Sequence, residues 1–126
     1  MGVAVEDLDA AIGTYRDLFA GEVEHRDTVP DQGVEAASVR VGSGRIELLR
    51  PLGDDTPVGR FLARRGPGMH HIAFRVDDLA AELMRLGAAG IELIDPEPRT
   101  GLFGLQVAFI YPDAVHGVLT ELVTDG

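Results

Sequence analysis

The chain has 126 residues and a mass of 13.5 kDa, the size of a single domain with its own buried core. Its formal net charge of -10 and pI near 4.6 argue against nucleic acid and anionic membranes as general partners, because both would be repelled. The absence of cysteine excludes disulfides, thiolate metal sites and a cysteine nucleophile. The sequence shows no signal segment and no apolar run of roughly 20 residues, so we predict a cytoplasmic protein.

The first part of the sequence, residues 1–52, predicts a βαβββ module. Residues 2–5 form a short apolar run typical of a strand. Apolar residues at three- and four-residue spacing predict a helix over residues 8–19, which Gly21 ends. Three further strands are predicted, separated by glycine-containing turns, at residues 22–28, 34–41 and 45–49.

A linker with one short helix is predicted over residues 53–67, and residues 68–126 repeat the first pattern as a second βαβββ module. This module begins with a strand at residues 69–76 and a helix at 77–86 that Gly87 and Gly90 terminate. The proline- and glycine-rich loop at residues 96–104 is longer than a hairpin needs, as is typical of binding loops. The remaining strands are predicted at residues 91–94, 105–111 and 117–123.

The two modules also share short sequence matches. Val5-Glu6-Asp7-Leu8 aligns with Val76-Asp77-Asp78-Leu79, and Ile46-Glu47-Leu48-Leu49 aligns with Thr120-Glu121-Leu122-Val123. Each module therefore carries a glutamate in an equivalent position. The partner of His71 would stand just before Met1. Two modules that each give a His and a Glu would surround a metal ion, and this chain supplies Glu47, His71 and Glu121 to such a set.

Several strings, in their order and spacing, resemble the vicinal oxygen chelate superfamily of glyoxalases, bleomycin resistance proteins and dioxygenases, and especially its methylmalonyl-CoA epimerases. The resemblance implies an α+β fold of two tandem βαβββ modules that form a curved mixed sheet around a metal site, usually in a homodimer. The strings are Pro30-Asp31-Gln32-Gly33-Val34, Ile46-Glu47-Leu48-Leu49-Arg50-Pro51-Leu52-Gly53, Gly68-Met69-His70-His71-Ile72-Ala73-Phe74, Glu97-Pro98-Arg99 and Gly117-Val118-Leu119-Thr120-Glu121-Leu122-Val123.

The activity that this resemblance implies is epimerisation of an acyl-CoA, either methylmalonyl-CoA or a close 2-substituted malonyl thioester. The proton at C2 would be abstracted and the enolate stabilised by a divalent metal ion. His and carboxylate ligands suit cobalt, manganese, nickel or zinc, and the sequence does not choose among them. Two alternatives stay open, namely a glyoxalase-like lyase or isomerase and a non-catalytic small-molecule binding protein of the same fold.

By the same resemblance, Glu47, His71 and Glu121 match the second, third and fourth metal ligands of the family, and Glu121 also matches a proposed acid–base group. The alternatives are a solvent-facing strand glutamate at Glu47 and a core histidine at His71. Because side chains alternate along a strand, His70 points away from His71 and is interpreted as structural or as a support of the metal ligands. An unpaired carboxylate at Glu121 between apolar neighbours would be costly, and a metal ion would remove that cost.

Two positions depart from the family pattern. The first ligand of the family, a histidine, would precede Met1, and we expect a start that lies upstream; water or the amino terminus could otherwise fill that position. A further glutamate of some epimerases is Ala36 here. Glu35 is therefore a candidate catalytic base only if a bulge shifts the register of its strand.

Substrate binding is predicted for Gln32 and Arg99. Arg99 could contact the acyl carboxylate or a coenzyme A phosphate, and the alternative is a solvated loop charge. Gln32 could line the mouth of a pocket or only build its turn. The family's frequent His-Pro-Lys is Tyr111-Pro112-Asp113 in this chain, which replaces a positive charge by a negative one and weakens the case for binding coenzyme A as the relatives do.

Overall fold

The computed structural model describes residues 1–125, and the chain divides into two compact units. The first unit spans Met1–His70 and the second begins at His71. The boundary lies inside a strand, and the segment predicted as a linker, residues 53–67, belongs to the first unit. That residues 1–126 form a single domain stays a prediction.

The first unit is a four-stranded mixed sheet with two helices. Its sheet has the strand order β2-β3-β4-β1, in which β1 pairs parallel with β4 and the other pairs are antiparallel. A short 3-10 turn at Pro30–Gln32 joins β2 to β3. The elements are β1 (Gly2–Ala4), α1 (Leu8–Phe19), β2 (Glu22–Val29), β3 (Val34–Val41), β4 (Gly44–Pro51) and α2 (Pro57–Arg65).

The second unit repeats this topology on a smaller scale. Its strands follow the order β5-β8-β7-β6, and the first strand again pairs parallel with the last. An α+β fold with two tandem βαβββ modules, as the sequence predicts, is therefore confirmed. The elements are β5 (Gly68–Arg75), α3 (Leu79–Ala88), β6 (Arg99–Thr100), β7 (Gln106–Ile110) and β8 (Thr120–Thr124).

The strand register agrees with the sequence repeat. In the first unit Gly2 lies opposite Glu47, and in the second Ala73 lies opposite Glu121. The helices also begin alike, since the carboxylates of Asp7 and Asp78 each accept a backbone N–H three residues later at 3.0 Å. Glu47 and Glu121 therefore occupy equivalent places in the two units.

Each unit packs its first helix on one face of its sheet. Leu8 and Ile12 of α1 are buried against the sheet residues Ala37, Val39 and Leu48. Leu79 and Leu83 of α3 are buried in the same way against Ala108, Ile110 and Leu122. Within the described part of the chain, the structure contains no helix with the length and apolar character needed to span a bilayer.

The predicted strand over residues 91–94 is wrong, because the structure shows an isolated bridge from Leu93 to Ile110 in its place. Pro96 and Pro98 follow closely, and proline has no N–H to continue a strand ladder. The predicted loop over residues 96–104 instead contains β6 and a short 3-10 turn.

Helix α3 and strand β8 are among the elements whose bounds differ from the predictions. Helix α3 begins at Leu79 because Asp78 caps it, and it continues through Gly87 to Ala88 rather than ending at that glycine. Strand β8 begins at Thr120 rather than at residue 117. The chain before it makes a turn in which His116 and Gly117 have positive φ angles of 61° and 91°.

Two glycines in helices offer a matched test of the packing around α2. A Cβ at Gly59 would fall on the carbonyl oxygens of Gly53 and Asp54, whereas a Cβ at Gly13 of α1 would meet open space. Gly59→Ala should lower the free energy of unfolding by about 1–3 kcal/mol through overpacking. Gly13→Ala should raise it by about 0.5–1 kcal/mol, since alanine favours helix more than glycine does. Denaturant unfolding of both variants measures this, and a stabilised Gly59→Ala protein would contradict the packing.

Candidate metal and substrate site

The two predicted glutamate ligands lie on the sheet faces that their units leave uncovered by the first helix. Leu48 of β4 packs under α1, so alternation turns Glu47 to the opposite face. Leu122 of β8 packs under α3, so Glu121 also points away from its helix. Each unit thus buries apolar side chains on one face and carries a glutamate on the other.

Glu47 is held inside the first unit by the strands on both sides of it. Its backbone N–H donates to the carbonyl oxygen of Met1 at 2.8 Å, and across the sheet it lies opposite Ser38, which is 4% exposed. Burial raises the pKa of the Glu47 carboxyl, and the positive amino terminus of Met1 offsets only part of this rise. A carboxylate in such surroundings gains stability from any nearby cation.

His71 and Glu121 meet in the second unit. The Nε2 atom of His71 lies 3.8 Å from Oε2 of Glu121, and the two residues are only 3% and 7% exposed. They come together because β5 and β8 are parallel neighbours, with Ala73 opposite Glu121 and His71 two residues before Ala73 on the same face. Two of the predicted ligands therefore form a buried polar pair.

Phe109 connects this pair to Arg99. Its ring meets the His71 ring edge-on, with centroids 5.6 Å apart and an interplanar angle of 85°. The guanidinium carbon of Arg99 lies 5.5 Å from the centroid of the same ring. Phe109 also lies opposite Glu121 in the β7–β8 ladder. The structure thus brings the predicted substrate ligand Arg99 close to the His71–Glu121 pair.

Asp95 completes this cluster, although no motif in the sequence predicts its role. One carboxylate oxygen of Asp95 lies 3.2 Å from Nε of Arg99, and the other accepts the backbone N–H of Phe109 at 2.9 Å. The available signal was an acidic residue directly before proline and four residues before an arginine. The alternation of Phe109 with buried Ala108 and Ile110 likewise marks it as facing away from α3.

The model of the glyoxalase/bleomycin resistance protein/dioxygenase superfamily matches residues 1–109 of the chain. The chain belongs to this superfamily. It is 37% identical over 123 residues to the mitochondrial methylmalonyl-CoA epimerase of Mus musculus, a match that covers 97% of this chain and 69% of the relative. It is 37% identical over 124 residues to the ethylmalonyl-CoA/methylmalonyl-CoA epimerase of Cereibacter sphaeroides, covering 97% of this chain and 92% of the relative.

A solved structure of a methylmalonyl-CoA epimerase in complex with methylmalonyl-CoA and NH4+ has a TM-score of 0.94 to this chain at 37% identity. That match covers 99% of this chain and 91% of the other. The resemblance inferred from the sequence is thus confirmed, as is the prediction of an epimerase-like isomerase.

Glu35 lies on the face of the first sheet that packs under α1, because it alternates in step with Ala37 and Val39. Its carboxylate pairs with Arg26 at 3.3 Å and with Arg50 at 3.1 Å. The β3–β4 ladder pairs residues without interruption from one end to the other, so no bulge turns Glu35 towards the face of Glu47. Its predicted catalytic role stays a prediction that these contacts do not support.

Gln32 and His70 both lie in the first unit. Gln32 ends the turn between β2 and β3, where a Cβ on the next residue, Gly33, would be 2.7 Å from Cγ2 of Thr56. Its role in substrate binding stays a prediction.

The His70 ring contacts Phe61 of α2 edge-on, with ring centroids 5.1 Å apart, and burial lowers the pKa of His70. Both observations agree with a structural role for His70.

A divalent metal ion is implied by the superfamily, and the His71–Glu121 pair fits one. Two ligand atoms that each lie about 2.1 Å from a cation are at most about 4.2 Å apart, and the observed 3.8 Å falls within that span. Among residues 1–125, the structure shows no cluster of three or more His, Cys, Asp or Glu side chains that could hold a metal ion.

The burial of Glu47 predicts a pH-dependent stability. Glu47→Gln should raise the unfolding midpoint of the metal-free protein near neutral pH, because the amide has no charge to bury. Because the pKa is raised, the folded state keeps the Glu47 carboxyl protonated at pH values above 4.5, where the unfolded state loses the proton. The contribution of Glu47 to the free energy of unfolding therefore falls as the pH rises above 4.5. The gap between variant and wild type should close as pH falls towards 4.5. Thermal unfolding across this range measures it, and an equal shift in the exposed control Glu92→Gln would contradict it.

Proposed function

We propose that the chain catalyses metal-dependent epimerisation of methylmalonyl-CoA or a close 2-substituted malonyl thioester. The observation that carries this proposal is the buried pair of His71 and Glu121 with Arg99 beside it across Phe109. The pair offers a proton-accepting carboxylate and an imidazole, and the guanidinium offers a counter-charge for a carboxylate substrate. The similarity to the two epimerases adds support for the substrate class.

The proposed metal ligands are Glu47, His71 and Glu121, as the resemblance implies. The position of Glu47 on the sheet face that is turned away from α1 supports its choice, and the 3.8 Å separation in the second unit supports the other two. A divalent cation, when bound, supplies a Lewis acid for the thioester carbonyl. Cobalt, manganese, nickel and zinc all suit these ligands.

The chemistry at the reacting carbon places simple demands on the protein. C2 of the substrate lies between a thioester and a carboxylate, so its proton is already acidic, and its removal moves negative charge onto the thioester oxygen. We assign removal of the C2 proton to the Glu121 carboxylate, whose low exposure keeps bulk water from its oxygens. Inversion then requires that a proton return to the opposite face of C2, from a second acid or from one mobile group that serves both faces. Arg99 binds the carboxylate of the acyl group and holds C2 in place.

A glyoxalase-like isomerase and a non-catalytic binding protein of this fold are the alternatives, and the experiments below separate them from the epimerase. Assembly as a homodimer and location in the cytoplasm are further proposals that rest on the resemblance and on the sequence.

The first experiment measures proton exchange at C2. Methylmalonyl-CoA incubated with the protein in deuterium oxide should gain deuterium at C2, read by mass spectrometry or proton NMR. Glu121→Gln should lower the exchange rate by about 10²-fold or more, because general acid–base groups contribute rates of that order. Glu82→Gln is the matched control, since Glu82 pairs with Arg85 on the surface of α3. Absence of exchange with the metal-loaded wild type would rule out the epimerase.

The second experiment measures metal binding without reference to turnover. The protein loaded with cobalt or zinc should hold about one ion per chain by elemental analysis, and chelation should lower its thermal midpoint, because a bound ligand stabilises the folded state. His71→Ala and Glu47→Gln should each weaken metal affinity by about 10-fold or more, while Arg99→Gln should not change it. Equal metal affinity in all variants would show that these residues are not the ligands.

A further inference from the structure

Asp95 joins the predicted substrate ligand to the strand beneath it. The segment that carries it runs along β7, where the backbone N–H groups of Ile94 and Asp95 donate to the carbonyl oxygen of Phe109 at 3.0 and 3.2 Å. The Asp95 carboxylate accepts the Phe109 N–H at 2.9 Å in return. One residue thus both donates to and accepts from the backbone of Phe109, which fixes the position of its carboxylate.

The second oxygen of the same carboxylate contacts Nε of Arg99 at 3.2 Å. The Asp95 side chain is 16% exposed and that of Arg99 is 40% exposed. An ion pair between exposed, mobile partners contributes little, but here the acceptor is held by the backbone and shielded from water. This ion pair holds the charged end of Arg99 next to the Phe109 ring, where the guanidinium carbon lies 5.5 Å from the ring centroid.

We propose that Asp95 is a positioning residue that holds Arg99 over Phe109, so that Arg99 binds the free carboxylate of a 2-substituted malonyl thioester. This inference rests on the proposed function. Asp95 itself touches neither the substrate nor the reacting atoms. Through Arg99, Asp95 favours substrates with a charged acyl group, because the guanidinium that it positions binds a carboxylate on that group.

The position of Arg99 favours the acyl carboxylate over a coenzyme A phosphate as its partner. Arg99 stacks on the ring that also contacts His71, and Phe109 stands opposite Glu121 in the ladder. The Phe109 ring therefore lies between Arg99 and the His71–Glu121 pair, at which the reacting carbon must bind. The phosphates of coenzyme A are separated from that carbon by the length of the pantetheine arm.

The test compares two ligands that differ only in the acyl carboxylate. Binding of methylmalonyl-CoA and of propionyl-CoA is measured by titration calorimetry for the metal-loaded wild type, Asp95→Asn, Arg99→Gln and the double variant. Asparagine keeps an acceptor oxygen for the Phe109 N–H but loses the charge that faces Arg99. Glu82→Gln is the matched control, because it removes an acidic partner of an arginine on the surface of the same unit.

We expect Arg99→Gln to weaken methylmalonyl-CoA binding by about 10²-fold and Asp95→Asn by about 10-fold, with propionyl-CoA binding changed less than about 2-fold. The double variant should bind methylmalonyl-CoA as Arg99→Gln does, because Asp95 acts through Arg99. The KM for methylmalonyl-CoA should rise in Asp95→Asn more than kcat falls.

Three results would overturn the proposal: unchanged binding in Asp95→Asn, equal losses for both ligands, or losses that add in the double variant. Equal losses in Arg99→Gln would assign the arginine to coenzyme A instead. If Asp95→Asn does not fold, Arg99→Lys takes its place, and binding of methylmalonyl-CoA as tight as in the wild type would overturn the proposal. Failure of the wild type to exchange the C2 proton would rule out the proposed function. Normal exchange by the wild type, together with unchanged ligand selection in Asp95→Asn, would rule out only the role of Asp95.

Discussion

The parallel pairing of the first strand with the last strand is the constraint on which each unit depends. It sets Gly2 against Glu47 in one unit and Ala73 against Glu121 in the other. A strand has a period of two residues, so the burial of Leu48 or Leu122 under a helix decides where the neighbouring glutamate points. A shift of register by one residue would turn the carboxylate towards the helix and the leucine away from it. Packing of the helices therefore fixes the positions of the functional side chains.

Much of this arrangement could be predicted from the sequence. The 3.6-residue period of α1, the capping aspartates and the repeated glutamates are local signals, and their positions agree with the structure. Glu35 was expected to face away from Glu47 by alternation, and its pairing with Arg26 and Arg50 agrees with that expectation. The repeat could be detected because both of its matching segments lie in elements that the core holds in register.

The contacts between Asp95 and Phe109 could not be predicted, because the segment before Asp95 does not form the strand that its composition predicts. The apolar run from Ile91 to Ile94 has the composition of a strand, yet the prolines that follow end the ladder after a single bridge. Composition reports the preference of the segment, whereas the hydrogen bonds that Asp95 exchanges with Phe109 depend on where β7 lies. The sequence offers a signal for the Asp95–Arg99 pair, whose members are four residues apart, but none for the contact of Asp95 with Phe109, which is 14 residues away.

The buried ionisable groups of the two units are costly to fold, and this cost has a functional explanation. A buried imidazole and carboxylate 3.8 Å apart lose hydration that their mutual attraction restores only in part. Burial likewise disfavours the charged form of Glu47. Well-packed apolar residues at these places would be expected to stabilise the fold at least as well. Ionisable groups at these places are understandable if a cation and an anionic substrate compensate their charge. Binding of both then stabilises the folded state and offsets the cost of burying the charged groups.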